Sequence, residues 1–416
     1  MAHIHIPSEI PLKYVRRPSS WAALCGVLFV IGLGTFVYTL NADPVRAWSD
    51  YVSNWLYFTS VAMGAVLFGA VTWIVKAKWN WSVRRVSLAF GAFLPISFLL
   101  LLPMLGLGEN FFPWIAEMAH DPIIQKKAAY LNKPFLMTRN VVGALLLFGL
   151  AGYFIYLALR PDLGLVKDDG DAGRARWRER LTQDYAGQEA EEVRSYQRMT
   201  RIAPAMVLLY AVVMSIFSYD WVMSLNPHWF STMMGPWFFM GAFWMGVVAT
   251  YHTVVGLKRS DRDFDRAMGR QQMHDLGKLA FAFCVFWAYL FFAQYLVIWY
   301  GKLPHEQSFI IERSRGLWGT LSVVVILCCF VLPFAGLVGK KGKMTPGWVR
   351  FITLVPLFGI WLERHLMVMP SLRPAEEATF GLTEPLIALM FLGPFLYSVR
   401  WFLSTFPVIQ MWQPMV

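Results

Sequence analysis

Ten uninterrupted apolar runs occupy most of the chain: residues 21–40, 52–75, 86–107, 141–159, 203–221, 233–257, 277–300, 316–338, 348–369 and 384–405. A hydrocarbon core of about 30 Å is crossed by about 20 residues of helix. An unpaired backbone amide in lipid costs several kcal/mol, so only helices and closed barrels span a bilayer. The runs are continuous rather than alternating, which selects helix. Charged residues make up 15% of the chain, against about 25% in soluble domains. The expected fold class is an all-α integral membrane protein with ten transmembrane helices. The first run lacks a small-residue cleavage exit and is long enough to span, so a membrane helix is expected there rather than a cleaved leader.

Net charge is +11. In a soluble protein that would point to nucleic acid. Here the cations map onto alternate connections. Segments 1–20, 76–85, 160–202, 258–278, 339–350 and the end from Arg400 hold 27 Lys and Arg, and the opposite segments hold 9. The positive-inside rule then places both termini in the cytoplasm, and no nucleic-acid partner is expected. The chain divides into a cytoplasmic segment 1–20, four helices over 21–159, a charged cytoplasmic loop 160–202, six helices over 203–405 and a tail 406–416. The outer loop 108–140 is rich in aromatics and proline and is expected to pack as a structured element.

The four cysteines, Cys25, Cys284, Cys328 and Cys329, all lie in apolar runs without C-x-x-C spacing. They offer no framework for zinc, iron–sulfur or c-type haem. Only His252 and His365 fall inside spanning runs, at opposite depths, which does not make a bis-histidine haem site. No metal is expected in this chain.

Ionisable residues at membrane depth are costly and are functional candidates by default. The segment FGIWLERHLMVMP, from Phe358 to Pro370, carries Glu363, Arg364 and His365 in succession. Successive helical residues point about 100° apart, so each needs its own partner on a different helix or a wet cavity. Asp220 closes another run in FSYDWVMSLNPHWFSTM and has no Lys or Arg in the loop that follows; Arg364, at similar depth, is the expected partner. His252 lies near the cytoplasmic end of its helix. His274, Asp275 and Lys278 gather at a cytoplasmic mouth, with His274 and Lys278 on one helical face. Gln294 lies deep in the same helix, and His305 and Glu306 stand at its outer end.

Four strings, AHDPIIQKKAAYLNKPFLMTRN (119–140), SYDWVMSLNPHWFSTM (218–233), HDLGKLAFAFCVFWAYLFFAQYLVIWY (274–300) and WLERHLMV (361–368), resemble the NrfD/polysulfide-reductase-like membrane protein family. Within it the likeness is to the smaller membrane subunit of bacterial alternative complex III, a quinol:cytochrome c (or cupredoxin) oxidoreductase. It runs over about residues 50–400. The chain departs from the family pattern at Pro304-His305-Glu306, where an acidic pair would be expected, and at His365, where an apolar or aromatic residue would be expected. The resemblance implies two four-helix bundles plus flanking helices in the bacterial inner membrane. It implies a sister NrfD-like subunit, a periplasmic iron–sulfur subunit and c-type cytochrome subunits as partners, with a terminal oxidase as a further one. The haem c and iron–sulfur clusters then belong to the partners, and quinol is the substrate of the complex.

The functional expectation is a proton path coupled to quinol oxidation elsewhere in the complex. His252, His274, Asp275 and Lys278 serve its cytoplasmic side; Asp220, His305, Glu363, Arg364 and His365 serve its outer side. One alternative is direct quinone binding through His120, Asp121 or His365. Another is a stand-alone secondary transporter, for which Pro95, Pro236 and Pro356 are the helix-breaking candidates.

Overall fold

The computed structural model describes residues 6, 10, 12–166 and 170–413. Parts of the expected segments 1–20, 160–202 and 406–416 lie outside the described residues. Among the described residues there are helices and no strand. Ten helices are long and apolar enough to cross a membrane: α1 (Ser20–Ala42), α2 (Pro44–Ile74), α3 (Arg84–Gly106), α4 (Lys133–Leu165), α5 (Gln188–Leu225), α6 (Met234–Ser260), α7 (Arg270–Gly301), α8 (Gly316–Val338), α9 (Pro346–Leu372) and α10 (Thr383–Thr405).

Three helices start well before their apolar runs, two of them for reasons of capping. The Asp43 side chain accepts the Arg46 N–H at 3.1 Å, and Pro44 presets the first helical φ, so α2 begins at Pro44. Asn132 accepts the Phe135 N–H at 2.9 Å ahead of Pro134, so α4 begins at Lys133. α5 starts at Gln188, inside the charged loop, leaving Ala172–Leu181 as the separate polar helix of that loop. Extra turns of helix thereby carry Asp50, Arg139 and Asn140 into the protein interior.

α2, α6 and α9 form the centre. Of the most apolar stretch of α2, 89% is buried, against 22% for α1 and α8. α2 packs on α6, α9 and α5; α6 also contacts α7 and α9; α4 lies along α5; α8 lies against α7 and α9; α1 and α10 pair with each other on the flank of α2. The central helices are the less apolar ones, because their polar residues face one another rather than the outside.

Backbone contact sets the two tightest crossings. A Cβ on Gly246 of α6 would sit 2.0 Å from the Gly64 carbonyl carbon of α2, and one on Gly64 would sit 2.0 Å from the Ala242 oxygen. Between α1 and α10, a Cβ on Gly32 would meet the Met390 nitrogen at 2.2 Å, and one on Gly393 would meet the Cys25 oxygen at 2.4 Å. Small residues allow this approach where no hydrophobic force drives helices together in lipid. Near the opposite, Lys- and Arg-rich face, Arg85 and Asp162 form a fully buried ion pair at 2.5 Å. Asp162 also accepts the Met411 and Trp412 N–H groups at 2.9 and 2.8 Å, which ties the chain end into the bundle.

Gly246→Ile forces α2 and α6 apart and is expected to cost about 1–3 kcal/mol or more, read as a lower unfolding temperature in detergent. Gly256→Ala, where nothing lies within 4 Å of the added Cβ, is expected to leave that temperature unchanged or higher. Equal effects of the two substitutions would contradict the close crossing.

Candidate functional site

The charged turn of α9 is fully enclosed: Glu363 is 3% exposed, and Arg364 and His365 are 0% exposed. The three side chains reach three different helices, as the helical angle requires. Glu363 accepts the Trp287 indole N–H from α7 at 2.8 Å. Arg364 donates to Glu363 at 3.0 Å and to the Phe238 carbonyl of α6 at 3.2 Å. Its guanidinium also lies over the Phe238 ring, 3.9 Å from the centroid. His365 Nε2 faces Asp50 Oδ1 of α2 at 3.5 Å, and its Nδ1 is 2.9 Å from the Trp361 carbonyl.

Asp50 was not a sequence candidate. The apolar run begins at residue 52, which places Asp50 in a loop, whereas α2 begins a full two turns earlier. The readable signal was Asp43-Pro44, a cap followed by an N1 proline. Neither carboxylate oxygen of Asp50 has a hydrogen-bond partner among the described residues. Asp50 also lies within the electrostatic reach of Glu384 on α10 and of Arg46. Arg46 Nη2 lies 2.6 Å from Glu384, and its side chain is 20% exposed. Glu384 also accepts the Gly381 N–H at 2.6 Å. Arg373 and Asp43 form a further ion pair beside this exit. A row of ionisable groups therefore runs from the centre of the bundle to the surface.

A cavity of about 300 Å³ borders Glu363 on the other side, between α7, α8, α9 and the helix Pro304–Ser314. Its walls are largely apolar, with the aromatic rings of Trp287, Phe291 and Phe309 among them. Gln294 of α7, 3% exposed, lines it, and neither amide atom is hydrogen-bonded among the described residues. A buried amide without a partner costs about 1–3 kcal/mol.

Prolines shape the walls. Pro370 has no N–H for the Leu366 carbonyl one turn back; Arg313 supplies the donor, at 2.8 Å to Leu366 and 3.0 Å to Met367. Pro333 likewise frees the Cys329 carbonyl, which takes the Cys284 thiol at 3.3 Å, and the helix passes through a π-turn at Leu327–Val331.

Asp220 belongs to a separate site, and the expected pairing with Arg364 is not found. Arg139 of α4 grips the carboxylate with two bonds, at 2.8 and 2.5 Å. Tyr130 adds a third at 3.0 Å and Asn140 a fourth at 2.5 Å. Asn140 in turn accepts the Trp221 indole N–H at 2.8 Å. Arg139 was read as part of an outer loop because it precedes the apolar run; it lies on the first turns of α4 instead. All four bonds are donated to the carboxylate by three residues, and they tie Asp220 of α5 to α4 and to Tyr130 in the loop before it.

The remaining candidates are dispersed. His252 contacts Thr353 of α9 at 3.0 Å. Lys278 pairs with Asp275 at 2.9 Å, and Gln271 donates to the other Asp275 oxygen at 2.5 Å. Thr353 and Glu363 are ten residues apart on α9, about 15 Å along the axis. That stretch is apolar apart from the ends, so the two groups of titratable residues are not joined by side chains along α9. His305 and His120 are exposed, with no ring hydrogen bond among the described residues. Asp121 pairs with His228 at 2.6 Å. Partial burial pushes the Asp121 carboxyl up, but the Ile123 and Ile124 N–H groups and His228 outweigh it and hold it below the usual carboxylate range.

The chain matches no family model and no curated protein.

Arg139→Ala leaves a buried carboxylate without its cation and is expected to destabilise the fold by about 3–5 kcal/mol. Arg139→Lys should recover only part of this, because the two-pronged grip is lost. Thermal unfolding in detergent reads both, and an unchanged midpoint for Arg139→Ala would remove the brace.

Proposed function

We propose that this chain is an integral membrane subunit of a quinol:cytochrome c (or cupredoxin) oxidoreductase of the alternative complex III type. In this reading it contributes a proton-conducting path coupled to quinol oxidation in the complex. The observation that carries the reading is the polar row Glu363–Arg364–His365–Asp50–Glu384–Arg46, closed inside an apolar bundle and open at one end. Two supports stand beside it. The motifs in 119–140, 218–233, 274–300 and 361–368 resemble that family, and the row meets a cavity lined by Gln294, whose amide has no partner among the described residues. The redox centres are assigned to other chains: a periplasmic iron–sulfur subunit and c-type cytochrome subunits, together with a sister NrfD-like subunit and a terminal oxidase. The proposed setting is the bacterial inner membrane with both termini cytoplasmic. The helix contacts support a grouping of α2–α5 and α6–α9 as two four-helix bundles, with α1 and α10 as the flanking pair.

Within this path each residue has a role that follows from its contacts. Glu363 is the proton-carrying group between the cavity and the row. Arg364, held to Glu363 and to the Phe238 carbonyl, fixes the carboxylate and sets a positive barrier to cation leakage. His365 and Asp50 form an imidazole–carboxylate relay, and Glu384 with Arg46 forms the exit. His252, His274, Asp275 and Lys278 serve the opposite face, and the apolar stretch between Thr353 and Glu363 is bridged by water or by side-chain movement. Asp220 is assigned to bracing rather than conduction.

A second reading is direct quinone binding, favoured by one observation. The cavity is apolar, and it offers an amide donor at Gln294 and a carboxylate acceptor at Glu363, the pairing a quinol head requires. The earlier candidates for such a site, His120 and Asp121, lie on an outer loop, and His365 is enclosed against Asp50. A stand-alone transporter remains the third class; it would purify without haem-bearing chains.

In proteoliposomes, Glu363→Gln and Asp50→Asn are each expected to lower the number of protons moved per electron while the haem-bearing partners still copurify. Ratios equal to wild type in both variants would contradict the path and leave the row a structural brace.

A further inference from the structure

A second cavity, about 560 Å³, opens between the flanking pair α1–α10 and the central helices α2, α6 and α9. Its deep part is apolar, with Phe58, Leu357, Leu392 and Phe395 among its walls. Its mouth lies where α1 and α9 begin and where α6 and α10 end, at the Lys- and Arg-rich face. Two guanidinium groups, Arg350 and Arg400, stand there, and no Asp or Glu is among the lining residues.

Neither guanidinium has an acidic partner among the described residues. Arg400 donates through Nε and Nη2 to the Arg16 carbonyl at 3.2 and 2.7 Å and stacks over Trp21, 4.5 Å from the ring centroid. Its Nη1 has no such bond. Trp21 lines the same cavity, and its indole N–H is buried with no hydrogen-bond partner among the described residues. The acids that follow Ser260 are engaged elsewhere: Asp263 and Asp261 lie 2.6 and 3.9 Å from Lys13. The slot runs from Arg400 to Leu392 on α10, about 12 Å along the helix, most of one leaflet of a core about 30 Å thick.

We propose that this slot binds an anionic phospholipid, its phosphate held between Arg350, Arg400 and the Trp21 N–H and one acyl chain lying between α10 and α9. Charge complementarity selects the headgroup: two unpaired cations at the mouth and no acid favour a net negative lipid over a zwitterionic one. The apolar depth selects a chain rather than a free phosphate ion. The bound lipid would join the flanking pair to the centre where α10 and α9 are separated by the slot. None of the groups that would hold the lipid belongs to the proton row, although His252, placed on the other face of the proposed path, lines the same slot.

The test is native mass spectrometry of the chain, with its copurifying partners, from nanodiscs of equal phosphatidylglycerol and phosphatidylcholine. Wild-type protein is expected to retain phosphatidylglycerol about tenfold or more over phosphatidylcholine. Arg350→Gln combined with Arg400→Gln should abolish that preference. Leu396→Trp fills the slot and keeps both cations, so it should lower retention of both lipids. Equal retention of the two lipids by wild type, or an unchanged preference in the double variant, would overturn the proposal. So would full retention in Leu396→Trp, and inorganic phosphate competing the lipid away would show an anion site without a lipid slot.

Discussion

Three consecutive ionisable side chains in α9 have to be satisfied away from water, and the arrangement of the centre follows from that requirement. A charge at mid-membrane costs about 2.5–3.5 kcal/mol on insertion scales, and a helix turns about 100° per residue. One neighbouring helix cannot serve all three. α7 offers Trp287 to Glu363, α6 offers the Phe238 carbonyl to Arg364, and α2 offers Asp50 to His365. α9 is thereby fixed in rotation against three partners at once. The glycine contact between α2 and α6 brings two of those partners close enough to do so.

The same logic explains the prolines. Each proline inside a helix leaves a carbonyl one turn back without its donor, which in lipid must be found elsewhere. Arg313 serves the carbonyl freed by Pro370, and the Cys284 thiol serves the one freed by Pro333. At Pro370 and Pro333 a side chain from a neighbouring element thus reaches the freed carbonyl, and Leu366, one turn before Pro370, lines the cavity beside Glu363.

How much of this was legible in the sequence varies with the kind of signal. The number of spanning helices was plain, because about 20 apolar residues in a row admit few other outcomes. The dispersal of Glu363, Arg364 and His365 to different neighbours followed from helix geometry alone. The identity of the neighbours did not. Asp50 and Arg139 stood outside the apolar runs, so a reading based on hydropathy put them in loops. The caps at Asp43-Pro44 and Asn132-Lys133-Pro134 show that the helices reach further. The pairing of Asp220 with Arg139 spans 81 positions, and nothing in local periodicity encodes it. Gln294 was visible as a deep polar residue, but its lack of a partner is a property of the packed bundle.

The central claim is that the enclosed ionisable row meets a hydrated, protein-walled chamber at Glu363. The most direct measurement is a density map of the intact assembly at a resolution that shows ordered water. The account predicts water hydrogen-bonded to the Gln294 amide and continuing to the Glu363 carboxylate. A dry chamber, with the Gln294 amide turned onto a neighbouring backbone carbonyl, would contradict it.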